Sequence, residues 1–148
     1  MNKKKEAVAL FNQGFSCSQA VLSVFAPVFN LDKTTALRIA GGFGGGMGNL
    51  GETCGAVTGA FMVIGLKYGR IDIDDRIAKG KTYGVVRDFA QIYNAKRGSI
   101  KCKELLGCDL NTPEGMNYAR ENNLFKTICP GLVESAVEIL EEILLENK

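Results

Sequence analysis

The apolar positions of this chain recur at intervals of three and four residues over almost its whole length, which predicts helices throughout. No stretch of any length alternates apolar and polar residues in the way that a half-buried strand does. We therefore expect an all-α fold. The clearest helical stripe begins after Cys129 and consists of Leu132, Val133, Ala136, Val137, Leu140, Ile143 and Leu144.

Capping residues and glycines predict where these helices begin and end. Ser16 and Gln19 have the spacing of a capping box, Asp32 is placed to cap the next helix, and Pro113 suits a first helical position. Gly14 and Gly98 follow predicted helix ends. The result is about seven or eight helices, over approximately residues 3–12, 16–25, 32–40, 53–69, 72–96 and 99–106, with two more that begin at residues 112 and 129.

Length and composition indicate a single compact domain over residues 1–148, because neither a linker nor a repeat is visible in the sequence. The formal net charge is only +2, and the sequence contains no cluster of basic residues of the kind that binds nucleic acid, so we expect no nucleic-acid partner. The longest apolar stretch, Gly55 to Leu66, is too short to cross a bilayer. With no secretory signal visible, we expect a cytoplasmic protein without a transmembrane segment.

Cysteine is the residue type on which the candidate chemistry depends, because the chain contains five cysteines and no histidine. The lack of histidine excludes a cysteine–histidine nucleophile pair and mixed cysteine–histidine zinc sites. Cys17, Cys54, Cys102 and Cys129 fall in or at the first turn of predicted helices, with Cys54 inside the first turn and Cys129 as a cap. Helix starts stabilise the thiolate, which is both the nucleophile and the metal ligand. Cys108 lies outside this pattern and is expected to be buried.

Glycine is concentrated in residues 41–60, GGFGGGMGNLGETCGAVTGA, just ahead of Cys54. Gly46, Gly48 and Gly51 form a G-x-G-x-x-G pattern, which binds dinucleotides when a strand leads into it. Here a helical segment precedes it and no parallel strand follows, which argues against a dinucleotide fold. These three glycines and Gly55 are the candidate cofactor-binding residues, as a backbone nest that has no lysine to assist it.

Two pairs of glycines spaced four residues apart predict close helix crossings. Gly55 and Gly59 lie in the fourth predicted helix, and Gly80 and Gly84 lie in the long helix that follows. Small residues at this spacing let two helix axes approach closely. The glycines before Cys54 are expected to form an open turn that gives a substrate, a metal or a partner thiol access to its sulfur.

Four stretches of the chain resemble the C-GCAxxG-C-C family of redox-active proteins, namely SCSQAVL, GGFGGGMGNLGETCGAVTGA, KCKELLGCDLNTPEG and CPGLVESAVEIL. The central motif, C-G-A-x-x-G, is matched by CGAVTG at residues 54–59. The resemblance covers most of the chain. It implies that Cys17, Cys54, Cys102 and Cys129 are the signature cysteines, and it also implies a link to transporter systems.

Three functions remain open from the sequence. In the first, Cys17, Cys54, Cys102 and Cys129 carry out thiol–disulfide chemistry without a cofactor, with a redox partner protein or a small thiol. In the second, the same four cysteines bind zinc or an iron–sulfur cluster. In the third, the chain is a non-enzymatic helical binding or assembly module, a homo-oligomer or part of a transporter system, whose cysteines are merely buried.

Overall fold

The structure is a computed structural model that describes residues 2–146. Within them, eight helices have five residues or more and no strand occurs, which confirms the predicted all-α fold. Two 3₁₀ segments, Ala26–Phe29 and Ala40–Gly42, follow the second and third helices. The helices are α1 (Lys3–Gln13), α2 (Cys17–Phe25), α3 (Lys33–Ile39), α4 (Gly44–Met47), α5 (Gly55–Tyr68), α6 (Arg76–Arg97), α7 (Cys102–Leu106), α8 (Pro113–Glu121), α9 (Leu124–Thr127) and α10 (Cys129–Glu146).

Local capping interactions fix the early helix ends, as the sequence predicts. Ser16 Oγ accepts the Gln19 backbone N–H at 3.3 Å, and Gln19 Oε1 accepts the Ser16 N–H at 3.0 Å, which completes the capping box of α2. Asp32 accepts the Thr35 N–H at 2.9 Å at the start of α3. Gly14 ends α1 with a φ of 121°, a conformation that a side chain disfavours. These predicted boundaries are confirmed.

Two predicted boundaries need correction, and one helix was missed. The long helix α6 begins at Arg76, capped by Asp75, and therefore later than the predicted acidic start. The short helix α7 begins at Cys102 instead of Ser99, because Lys101, the residue before it, pairs in the antiparallel sense with Thr53. The single-turn helix α9 was not predicted, since it follows Asn123 in a left-handed conformation and shows no full apolar repeat.

The core is built around α2 and α5, which pack on each other more extensively than any other pair of helices. Every residue of α2 except Gln19 is buried, including Ser18, whose hydroxyl donates to the Ala40 carbonyl at 2.9 Å. The apolar stripe of α10 covers this pair and also packs against α1 and α6. This arrangement brings the beginnings of several helices to one end of the core.

Gly55 and Gly59 make the close crossing of α5 on α2 that their spacing predicts. A Cβ at Gly59 would lie 2.9 Å from the Ser18 carbonyl oxygen, and one at Gly55 would lie 3.1 Å from the Ser18 nitrogen. The prediction for Gly80 and Gly84 is wrong, because a Cβ there would meet nothing closer than 4.0 Å. That part of α6 faces away from the described core.

The most apolar helix, α5, is well short of a bilayer's thickness. It has 14 residues, and its last turn carries Lys67, whose ammonium group donates to the Leu144 carbonyl at 3.2 Å. Within residues 2–146 no helix combines the length and the apolar character that crossing a membrane requires.

Candidate functional site

The glycine-rich segment forms a left-handed turn in front of α5. Residues 45–49 all have positive φ values, from 62° at Gly48 to 71° at Gly46. L-residues with a side chain disfavour this region, so a run of five needs glycine at most of its positions. The turn is closed by the Glu52 N–H, which donates to the Gly46 carbonyl at 3.0 Å, and by the Gly51 N–H, which donates to Gly45 at 3.1 Å.

A short antiparallel pairing holds two of the signature cysteines next to each other. The Cys54 N–H donates to the Ile100 carbonyl at 2.8 Å, and the Cys102 N–H donates to the Glu52 carbonyl at 2.7 Å. Gly46 lies directly beneath this pairing, since a Cβ there would stand 2.7 Å from Cys102 Cβ. The backbone of residues 51–54 and 100–103 therefore fixes both helix starts.

The four signature cysteines all lie at helix starts, as predicted, although three occupy other positions there than the predicted ones. Cys102, expected three residues after a cap at Ser99, is the first residue of its helix. Cys17, Cys102 and Cys129 are the first residues of α2, α7 and α10, and Cys54 is the N-cap of α5. The predicted place of Cys54 inside the first turn and of Cys129 as a cap are thus each off by one residue. All four are buried, and all four line one cavity of about 390 Å³.

The rest of the cavity wall is apolar or bare backbone. Two polar side chains, Ser16 and Asn49, reach it, and Asn49 is exposed at the surface. Among the residues that the structure describes, no Lys, Arg, Asp or Glu lines it. The remaining lining residues are Phe11, Gly41, Gly42, Gly44, Gly45, Gly46, Gly48, Gly55, Leu106, Leu110, Phe125 and Leu132.

The surroundings of the cavity cysteines shift their pKa values in opposite directions, so that one thiol is more acidic than its neighbour. The pKa of Cys54 is lowered, first by a hydrogen bond from the Cys17 thiol and then by the N–H groups of Ala56 and Val57 at the start of α5. The pKa of Cys17 is raised well above its usual value, because its thiol proton is shared with Cys129 and with Cys54, and because the site is buried. Cys54 is therefore the cysteine best placed to be a thiolate.

Two other groups at the site are held in their protonated forms. Burial, together with the charge that Cys54 carries as a thiolate, raises the pKa of Cys102 to about 12. Burial also raises the pKa of Tyr93, whose hydroxyl donates to the Leu132 carbonyl at 3.0 Å and lies near Cys54. From its sequence context Tyr93 is expected only as a core residue, since no local pattern connects it with a cysteine 39 positions away.

Not every candidate residue joins the site. Cys108 is half-buried, which corrects the expectation that it is buried, and it does not line the cavity. Gly46, Gly48 and Gly55 line the cavity, whereas Gly51 is buried behind it. Of the candidate glycines in the cavity wall, Gly48 is exposed at the surface, whereas Gly46 and Gly55 are buried.

The same four cysteines are also the ligands that the sequence predicts for a metal site. Within residues 2–146, no group of three or more Cys, Asp or Glu side chains is arranged to hold a metal ion. What the arrangement offers chemically is a set of neighbouring thiols, one of them acidic, around a predominantly apolar cavity.

The comparison with protein families gives one match. The sequence model described as "Putative redox-active protein (C_GCAxxG_C_C)" matches residues 15–143. This range covers most of the chain and includes all four cavity cysteines, so the chain belongs to the C_GCAxxG_C_C family, as the resemblance implies. Searches of curated proteins and of solved structures gave no match.

Proposed function

We propose that this protein is a thiol–disulfide redox protein in which Cys54 is the attacking thiolate and Cys17 is the resolving thiol. The observation that carries the proposal is the convergence of four buried cysteines at helix starts on one cavity, where Cys54 has a lowered pKa beside the protonated Cys17 thiol. A thiolate is the species that attacks a disulfide, and a protonated neighbour can supply a proton to the leaving group. Membership of a family described as redox-active supports the same chemistry.

The proposed reaction consumes one disulfide and releases one of its halves as a thiol and the other as a thiolate. The Cys54 thiolate attacks one sulfur of a substrate disulfide, the substrate S–S bond breaks, and one half leaves as a thiolate. Cys17 then gives its proton to that thiolate and attacks the Cys54 sulfur of the mixed disulfide. The second half leaves as a thiolate, and the protein is oxidised by two electrons to a Cys17–Cys54 disulfide.

Cys129 is the proposed exchange partner for this disulfide. Its sulfur provides the largest of the influences that raise the Cys17 pKa, which puts it within hydrogen-bonding reach of that thiol. Once Cys129 has released its proton to solvent, its thiolate would attack the Cys17 sulfur and break the Cys17–Cys54 bond. A Cys17–Cys129 disulfide would form and the Cys54 thiolate would be restored, with no net change in oxidation state. Cys102 is held beside Cys54 by the backbone pairing, and its raised pKa of about 12 disfavours its thiolate form.

The experiment that tests the proposal is disulfide mapping after controlled oxidation. The reduced protein is treated with a small disulfide under anaerobic conditions, its free thiols are counted, and its peptides are analysed by mass spectrometry. We expect the loss of two thiols and a Cys17–Cys54 or Cys17–Cys129 peptide pair. Cys54→Ser is expected to slow the oxidation strongly, whereas Cys108→Ser, the matched control outside the cavity, leaves it unchanged.

Two results would contradict the proposal. One is the retention of all five free thiols under conditions that oxidise a simple dithiol. The other is a stoichiometric metal in protein purified anaerobically, with four thiols protected until a chelator is added, which would favour the four-cysteine metal site instead. Elemental analysis of the same preparation provides that measurement.

A further inference from the structure

Resting on the proposed thiol–disulfide function, we infer that the oxidising substrate of the cavity is a small, uncharged, predominantly apolar disulfide. Anionic disulfides and protein disulfides are excluded from the role of direct substrate. The inference comes from the burial of the cysteine sulfurs and from the chemistry of the cavity wall.

Burial of the cysteines sets the size of the reactant. Cys54 is 3% exposed and Cys17 is 8% exposed, so neither sulfur lies on a surface that a folded partner protein could approach. Disulfide exchange requires the attacking sulfur to reach the disulfide in line. A reactant must therefore enter the cavity, whose volume of about 390 Å³ suits a small organic molecule.

The wall of the cavity sets the polarity of that reactant. Phe11, Leu106, Leu110, Phe125 and Leu132 form its apolar side, and the glycine turn forms the opposite side. Transfer of an unpaired carboxylate or ammonium group into such surroundings costs several kcal/mol. An uncharged disulfide escapes this cost and gains from the burial of its own apolar surface.

The sign of the charge matters as well as its presence. Within the described residues, the cavity lining provides no lysine or arginine to pair with a carboxylate. A thiolate at Cys54, supported by the lowered pKa of this group, would repel an anionic disulfide further. Anionic reactants are therefore disfavoured twice, and cationic reactants are disfavoured by desolvation alone.

The test compares three small disulfides of similar skeleton with the full-length reduced protein. They are bis(2-hydroxyethyl) disulfide, which is uncharged, cystamine, which is dicationic, and dithiodiglycolate, which is dianionic. Each rate of thiol loss is divided by the rate for a simple thiol in solution, which removes intrinsic reactivity. We expect the normalised rate for the uncharged reagent to exceed that for the dianionic reagent by at least roughly tenfold, because a tenfold ratio requires a free-energy difference of only about 1.4 kcal/mol.

A variant at the cavity rim sharpens the test. Gly42 lines the cavity, has no positive φ, and has no atom within 4 Å of an added Cβ, so a side chain fits there without a clash. Gly42→Lys is expected to raise the dianionic rate and to lower the dicationic rate. Gly42→Gln controls for length, and Gly80→Lys, which is equally open but outside the cavity, controls for net charge.

The outcomes separate this inference from the function on which it rests. If the dianionic reagent reacts as fast as the uncharged one, or if Gly80→Lys changes the rates as much as Gly42→Lys, the inference is wrong while the redox function stands. If none of the three reagents oxidises the cavity cysteines, the proposed function itself fails. Faster oxidation by the uncharged reagent, with a charge response confined to residue 42, supports both.

Discussion

Two regions of the molecule carry the same spacing of glycines and use it in opposite ways. In α5, a Cβ at Gly55 or Gly59 would meet backbone atoms of Ser18 at 3.1 Å or 2.9 Å, so these glycines let two helices touch. In α6, a Cβ at Gly80 or Gly84 would meet nothing closer than 4.0 Å. In both regions the spacing produces a helix face without bulky side chains, but within the described residues only the face of α5 has another helix packed against it.

The residues next to the glycines explain the difference. Ala56 and Ala60 flank the glycines of α5 and are fully buried, whereas Lys79 and Lys81 flank Gly80 and are exposed. Burial of an apolar neighbour is favourable, whereas burial of the charge of a lysine is costly. A small-residue spacing is therefore a reliable sign of a crossing only when its neighbours can be buried with it.

The largest effect is expected at Gly46, where a side chain meets both strain and a clash. An added Cβ would lie 2.6 Å from the Glu52 nitrogen and 2.7 Å from Cys102 Cβ, at a φ of +71°. Gly46→Ala should lower the free energy of unfolding by about 2–5 kcal/mol, measured by denaturant titration. Gly107→Ala is the matched control, because Gly107 has a φ of +72° and open space, and should lose about 1–2 kcal/mol. Equal losses in the two variants would contradict the packed turn.

The two helical glycines should respond with opposite signs to the same substitution. Gly59→Ala forces a Cβ against the Ser18 backbone and should destabilise the protein by about 1–3 kcal/mol. Gly80→Ala fills open space on an exposed helix and should stabilise it by about 1 kcal/mol. Thermal and denaturant unfolding measure both changes. A stabilised Gly59→Ala variant would show that α5 and α2 are not in close contact.

An effect that depends on pH should separate Cys102 from Cys108. The pKa of Cys102 is raised to about 12, so the folded state keeps this proton where the unfolded state, with a pKa near 8.5, has lost it. Stability should therefore fall as the pH rises from about 8.5 towards 12. Cys102→Ser should flatten this fall, and Cys108→Ser, at a half-buried position, should do so less. Identical slopes in wild type and Cys102→Ser would refute the assigned environment.

The smallest effect is expected at Glu52, which lies two residues before Cys54. Its carboxylate is 4.0 Å from Lys103 Nζ, and both side chains are about half exposed. Exposed pairs of this kind contribute about 0–1 kcal/mol. Glu52→Gln should therefore change both stability and the rate of thiol oxidation very little. A large loss of oxidation rate would mean that this carboxylate takes part in proton transfer at Cys54.

The helices are the part of the fold that the sequence predicts well, because their ends depend on local chemistry. The Ser16 capping box, the Asp32 cap and the Gly14 stop act through residues three or four positions away. The start of α7 escapes prediction, because the pairing of Thr53 with Lys101 removes Ser99 from the helix. The left-handed conformation of the turn at residues 45–49 could not be predicted either, because a cluster of glycines is compatible with many backbone conformations and does not specify which one forms.

The candidate site shows the same division between local and tertiary information. The placement of Cys17, Cys54, Cys102 and Cys129 at helix starts could be inferred from the caps around them. Their convergence on one cavity could not, since it depends on how α2, α5, α7 and α10 pack. Tyr93 reaches the site only through that packing. The family resemblance identified the same four cysteines without their arrangement.

The central claim, that the fold makes Cys54 an acidic thiolate among protonated neighbours, is tested most directly by the pH dependence of its alkylation. The reduced protein is treated with iodoacetamide, a small uncharged reagent, and modification of each cysteine is followed by peptide mass spectrometry. We expect Cys54 to be modified with a midpoint below the ordinary thiol value of about 8.5, and Cys102 only at much higher pH. A Cys54 midpoint at or above that of Cys102 would contradict the account.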